Sequence, residues 1–469
     1  MRLFEAFANI FRVPDLRKRL AFTLALLAVY RLGGHIPSPG IDINKWSELF
    51  NSQAGSIFGF FDMFAGGNIR RFTIFALGIM PYITASIILQ LLTVVVPTLE
   101  KLQKEGELGR RKITQWTRYL TIILSVLQSF GISQGLMSMQ GVVINPGIGF
   151  SLLTVISLTT GTAFIMWLGE QISERGVGNG MSLIIFTGIV VGLPRAISSI
   201  YQNIFVTHEW NALTLLVIIA LMIVVVAFIV LVERGERRIP VQYAKRVVGR
   251  KVMGGQSTHM PLKVNAGGVI PVIFASSLLA FPMTLAGMQW AKNIKWLMAT
   301  LSSIGQGEPL HYVLFIAGII FFCFFYISII FNPNEAADNM RKYGGFIPGI
   351  RPGRNTAEYM NTILTKITVV GGIYLSILCI IPDLLISGIK LQHLPFIGNW
   401  VDNTFTSVHF LRPILDGLNV QFYFGGTSLL IVVGVAMDTI NQIEAQLIMR
   451  HYEGFTPRSG RIRGRRSSF

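Results

Sequence analysis

Charge is what this chain has least of. Only 13% of its 469 residues are Asp, Glu, Lys or Arg, against 52% hydrophobic ones, whereas a soluble globular protein carries about 25% charged residues. That deficit excludes an ordinary soluble domain, however large its core. Cysteine is nearly absent too. Cys323 and Cys379 both lie inside apolar stretches, so they read as small core residues and no disulfide framework is implied. No GxxxxGK[ST] loop occurs, which argues against nucleotide hydrolysis by the chain itself. The seven histidines are scattered without HExxH or comparable pairing, which argues against a metal site. No GxSxG motif or Cys/His arrangement appears. The glycines of "RGVGNG" (Arg175–Gly180) sit in a short loop between apolar runs, not between a strand and a helix. The apolar stretch after Arg17, Lys18 and Arg19 has no small-residue cleavage site behind it, so no removable signal peptide is expected.

What the chain does have is a succession of long uncharged apolar runs, the signature of helices that span a membrane. Spans are expected near residues 20–36, 72–96, 117–136, 150–169, 181–198, 212–232, 268–288, 311–331, 367–386 and 422–441. The net charge of +17 would suggest nucleic acid in a soluble protein, but its distribution points elsewhere. With the N-terminus in the cytoplasm, 31 of the 40 Lys and Arg fall in the two tails and the inside loops, Arg118 at the edge of the third span counted with its loop, as the positive-inside rule requires. A miscounted span would scramble that asymmetry. The expected fold is therefore an all-α polytopic membrane protein with ten transmembrane helices and both termini cytoplasmic. Five spans per half, residues 1–200 and 201–449, would give the halves opposite orientation, an inverted repeat with a site at their interface. A basic tail, residues 450–469, follows.

Two inside loops stand out, residues 233–265 and 332–366. Both are basic, contain Gly-Pro turns, and exceed the 12–15 residues beyond which loops are usually functional or disordered. They either merely set orientation or form a docking surface for an acidic partner, RNA included. The first alternates basic and β-branched residues in a way that suits a hairpin. The span interiors hold almost no ionisable groups; Arg31, Glu170, Asp438 and Glu444 sit at or near span ends. Ion-coupled transporters keep such groups at mid-membrane, so a small-solute secondary transporter is the weaker alternative. Glycine and proline punctuate three spans (Gly78 and Pro81; Gly267, Gly268 and Pro271; Gly425 and Gly426), marking either broken helices around a cavity or ordinary close packing. Before the second span, "SIFGFFDMFAGGNIRRF" (Ser56–Phe72) is apolar and too short to cross. It fits a re-entrant, plugging segment or an interfacial helix.

From "IFALGIMPYITASIILQLLTVVVPTLEKLQKEGELGRRKITQWTRY" (Ile74–Tyr119) onward the sequence resembles the SecY family, the channel-forming subunits of the general secretion (Sec) translocon. "MWLGEQISERGVGNGMSLIIF" (Met166–Phe186), "ERGERRIPVQYAKR" (Glu233–Arg246), "QSTHMPLKVNAGGVIPVIFASS" (Gln256–Ser277), "FFCFFYISIIFNPNEAADN" (Phe321–Asn339), "GIRPG" (Gly349–Gly353) and "FYFGGTSLLIVV" (Phe422–Val433) agree in colinear order. The resemblance implies two five-helix halves around a central hourglass pore that passes unfolded secretory polypeptides and releases transmembrane segments sideways into lipid, in a bacterial plasma membrane. It implies a pore ring of Ile79, Ile83, Ile185, Ile273 and Ile431, with Met181 adjacent. It implies a plug at about 56–71 that includes Met63, Phe64, Ala65, Gly66, Gly67, Asn68, Ile69 and Arg70. A lateral gate is expected at Thr84, Gln90 and Gln128 on one side and Ser277 and Phe281 on the other. Docking of a SecA motor or a ribosome, with possible rRNA contact, is expected at Arg250, Lys251 and Arg351. SecE and SecG would be small membrane partners, and no cofactor is implied. Ile79 and Ile83, four apart, share a helix face, and an isoleucine ring of this kind blocks ions by dewetting. The outside loop Asp383–Gln421, with its aromatic-rich insert, is longer than the family leads one to expect.

Overall fold

The computed structural model describes residues 13–52, 62, 65–139, 141–206, 212–243, 246–248, 251–253, 257–286, 294, 304–305, 308–387 and 426–453. Helices dominate, and helix overlaps each of the expected spans. In chain order they are α1 (Pro14–Gly33), α2 (Ile43–Ser52), α3 (Met80–Val95), α4 (Pro97–Lys104), α5 (Glu107–Met137), α6 (Ile148–Arg175) and α7 (Gly180–Val191). There follow α8 (Leu193–Phe205), α9 (Ala212–Glu233), α10 (Ile270–Ala286), α11 (Pro309–Ile330), α12 (Pro333–Lys342), α13 (Arg354–Ser387) and α14 (Gly426–Glu453). Among the described residues, five helical stretches are by themselves long and apolar enough to cross a bilayer: Glu107–Met137, Ile148–Arg175, Pro309–Lys342, Arg354–Ile381 and Thr427–Leu447. The pair α3 and α4 passes that test together but bends by 100°, at the Val96-Pro97 step.

Two expected spans differ from the sequence reading. Helix α3 starts at Met80, not near residue 72, because Phe72 and Gly78 hold left-handed backbone (φ 43° and 57°) and residues 74–79 form turns. The fifth span is broken at Gly192, where Pro194 opens a new helix. At 1.5 Å per residue, twelve-residue α7 reaches only about 18 Å into a hydrocarbon layer about 30 Å thick.

Helices α3, α5, α6, α7, α10, α11, α13 and α14 pack in neighbouring pairs around one apolar core that draws side chains from both halves, from Tyr30 to Val435. Their outward faces stay apolar: Leu152, Ile156, Val224, Leu231 and Ile377 are exposed, as lipid-facing positions should be. Cys323 and Cys379 are buried in the core.

The two long basic loops fold into one small sheet outside the helices. In it β1 (Glu236–Tyr243) pairs antiparallel with β4 (Ser257–Lys263), and on its other edge with β5 (Gly345–Phe346) from the second loop. Between β1 and β4, the short β2 (Arg246–Val248) and β3 (Lys251–Met253) pair with each other. The hairpin expected for the first loop is thus present. Alternation along β1 turns Ile239 and Val241 inward and Arg238, Pro240 and Gln242 outward. The inward face packs on Ile347, Met360 and Leu364, which fixes the platform to the start of α13. The described part of the long outside loop ends at Ser387; residues 388–425 and the tail beyond 453 lie outside the described residues.

Candidate functional site

The five isoleucines come together. Ile79, Ile83, Ile185, Ile273 and Ile431 are all buried in the same apolar cluster, although they come from four helices in two halves of the chain. Local sequence explains each placement. The left-handed turn at Gly78 and Pro81 in the first turn set the start of α3, so Ile79 and Ile83 stack one helical turn apart. Asn179 caps α7 by accepting from the backbone N–H of Met181 and Ser182 (3.1 and 3.4 Å), which puts Ile185 on its second turn. Met181 packs partly buried against the cluster, facing Gly169 of α6.

Beneath α3 lies the short segment expected to act as a plug. Ala65, Gly66 and Asn68 are buried, while Gly67, Ile69 and Arg70 are partly so; Met63 and Phe64 lie outside the described residues. The segment is held through its backbone. Tyr30 Oη donates to Ala65 O (3.3 Å), Arg31 Nη1 donates to Gly66 O (3.0 Å), and Trp46 Nε1 donates to Ile69 O (2.8 Å). Asn68 Nδ2 donates to Tyr30 Oη (3.4 Å). Gly66 (φ 71°) presses on α7 so closely that a Cβ there would stand 2.8 Å from Gly188 Cα. Asp62, buried, accepts from the backbone N–H of Ile69 and Arg70 (2.9 Å each) and so closes the loop on itself. The sequence reading placed Arg31 only at a span end and did not single out Tyr30 or Asp62. A lone carboxylate inside "GFFDMFAGG" was the available signal, since a buried charge persists only where donors meet it.

The expected lateral seam runs where α10 packs against α3 and α5. Ser277 is buried there with its Oγ 4.0 Å from Met80 Sδ, the one polar contact across the α3–α10 seam among the described residues. Thr84 is spent within its own helix, donating to Met80 O (3.0 Å). Gln90 and Gln128 are partly buried on α3 and α5, and Gln90 Oε1 is buried without a hydrogen-bond partner. Phe281 belongs to α10, but its side chain lies outside the described residues. The seam is therefore more apolar than a row of polar contacts would make it.

On the platform, Arg351 is exposed just ahead of α13 and Lys251 stands in β3, whereas Arg250 lies outside the described residues. Elsewhere on the chain α4 and the start of α5 carry exposed Lys101, Lys104, Arg110, Arg111 and Lys112. The hydrogen bond from Lys104 (2.5 Å) holds the Glu100 carboxyl below its ordinary value. Between platform and isoleucine cluster opens a cavity of about 470 Å³, floored by Ile273 and walled by Glu233, Asn265, Asp438, Asn441 and Gln442. The arrangement sets a polar-walled cavity over a buried apolar cluster, with the buried segment 65–70 packed against α7.

Residues 73–440 match the SecY family. The chain is 49% identical to the protein translocase subunit SecY of Escherichia coli K12, over 94% of this chain and 93% of that one. It is 46% identical to the Pseudomonas aeruginosa subunit, over 94% and 93%. Among solved structures, a protein-conducting channel aligns with a TM-score of 0.59 at 18% identity, over 93% of this chain and 94% of the other. Sec61 in a canine ribosome-channel complex aligns at 0.54 and 17%, over the same shares. With the family matched over most of its length and close relatives spanning nearly all of it, this chain belongs to the SecY family.

Proposed function

We infer that this chain forms a protein-conducting channel, which passes unfolded secretory polypeptides across the membrane and releases transmembrane segments sideways into lipid. One observation carries the reading: five isoleucines scattered over more than 350 positions are buried together in one apolar cluster. A narrow apolar collar of that kind excludes ions by dewetting. It also binds no particular side chain, which suits a substrate of arbitrary sequence. Ala65–Arg70 would then be the plug that backs the collar, and the α3/α5–α10 seam the lateral gate. The basic platform, with Arg250, Lys251 and Arg351, would dock a ribosome or a SecA motor, and the exposed apolar helix faces leave room for SecE and SecG. The chain would act in a bacterial plasma membrane with both termini cytoplasmic, and as a conduit it would carry out no catalysis.

The test is crosslinking. A secretory chain stalled in transit crosslinks to cysteines placed at Ile83 or Ile273, and not to a cysteine at exposed Leu152 of α6. Crosslinks at Leu152 with none at the two collar positions would defeat the reading.

A further inference from the structure

The turn that leads into α10 is tied down by one buried amide. Asn265 is 4% exposed, and its Nδ2 donates twice, to Glu233 Oε1 (2.6 Å) and to Gly268 O (3.1 Å). Glu233 ends α9 before the platform hairpin begins, and Asn265 follows the hairpin's end. One side chain therefore joins the end of one span to the entrance of the next. The backbone around it is built to move. Gly268 holds φ 60°, a conformation that glycine enters and leaves without steric penalty. Residues Gly267–Ile270 border the 470 Å³ cavity, so the start of α10 has empty volume beside it. The far sides are closed: a Cβ on Gly371 would meet Val264 O at 3.0 Å, and one on Gly434 would meet Val269 Cγ2 at 2.2 Å. Movement is thus open on the cavity side alone. Eight residues after Asn265 stands Ile273, the collar residue that floors the cavity.

We propose that Asn265, bridging Glu233 and Gly268, is a positioning residue that locks the first turn of α10 and so holds Ile273 in the collar. The inference rests on the channel reading above and adds a residue outside the collar, plug and seam. Breaking the bridge lets α10 settle toward the cavity and withdraws Ile273 from the constriction. A carboxamide at position 233 still offers an acceptor, so the bond itself, and not the charge of Glu233, decides the outcome.

The experiment uses the full chain with its membrane partner subunits in liposomes and measures iodide efflux without translocating substrate. Asn265→Ala and Glu233→Ala are expected to raise efflux at least fivefold, Glu233→Gln to restore it to within twofold of the parent, and the Ala/Ala double variant to leak no more than either single one. Ile273→Gly, run in parallel, tests the channel reading separately through the same efflux. Thermal unfolding in detergent shows that each variant is folded, and Glu233→Ala serves where Asn265→Ala is not. Efflux at the parent level for both alanine variants, while Ile273→Gly leaks, overturns the lock alone. So does a Glu233→Gln variant that leaks as much as Glu233→Ala. Absence of leak from Ile273→Gly itself would instead count against the channel.

Discussion

Gly66→Ala puts the seated plug to a quantitative test. The new Cβ would stand 2.8 Å from Gly188 Cα, a backbone atom within α7 that cannot turn aside as a side chain would. Overpacking of that kind costs about 1–3 kcal/mol, and it is felt only while the segment is seated. A second cost, roughly 1–2 kcal/mol for an L-residue in left-handed backbone, comes from φ 71° at the same position. At about 1.4 kcal/mol per tenfold, the Gly188 contact alone should shift the seated-to-unseated ratio by roughly 5- to 150-fold. The assay is single-channel conductance in planar bilayers, with deletion of 62–70 setting the ceiling. Gly66→Ala should leak at least fivefold more than the parent. Leak at the parent level would mean that contact with α7 does not hold the segment.

Other outcomes follow from the same coordinates. Gly161→Ala in α6 would drive a Cβ to 2.0 Å from Ile74 O and should cost about 3 kcal/mol or more, seen as a lowered thermal midpoint in detergent; an unchanged midpoint would refute the α6 packing. The Arg118–Glu170 pair joins α5 to α6 at 2.7 Å with side-chain exposures of 44% and 16%. Solvent screens the arginine, so a double-mutant cycle should give only about 1 kcal/mol of coupling, and a value above about 3 would show the pair to be dry. Arg351→Ala should weaken ribosome or motor docking roughly tenfold without altering thermal stability, because its side chain is exposed; unaltered affinity would remove it from the docking face.

Much of this architecture could be read from the residues. Apolar runs and the loop charges located the helices because both follow from the bilayer's own demands, thickness and the sign of its potential. The boundary errors have a common cause. At Phe72–Ile79 and at Gly192 the sequence remains apolar while the backbone turns, and hydropathy is blind to φ. The collar isoleucines required the family motif, since isoleucine is equally at home against lipid, and only their convergence distinguishes the two settings. The roles of Tyr30, Arg31 and Asn265 were invisible because each acts through a backbone carbonyl that is distant in sequence or belongs to a turn whose shape no pattern announces. The joining of the two basic loops through β1–β5 was hidden likewise, since β5 is only two residues long.

On the proposed reading the seam and the seal obey opposite energetics, and that contrast would let one molecule do both tasks. Across α3 and α10 the described polar tie is a single hydroxyl–sulfur contact at 4.0 Å, weaker than an ordinary hydrogen bond of about 0.5–1.5 kcal/mol. A helix of secreted origin that lays about 300 Å² of apolar surface into that seam and the lipid beyond gains about 7 kcal/mol at 25 cal/mol per Å². Separating α3 from α10 in the membrane exposes their apolar faces to hydrocarbon, not water, so little of that gain is lost. The proposed seal would oppose water and ions instead, since its isoleucines give them nothing to bind. An apolar segment would therefore open the gate by the same property that lets the collar hold back everything polar. Ser277→Leu should accordingly leave ion leak at the parent level while lowering the hydrophobicity a segment needs to partition into lipid. A variant with raised leak and an unmoved insertion threshold would break the link between the two.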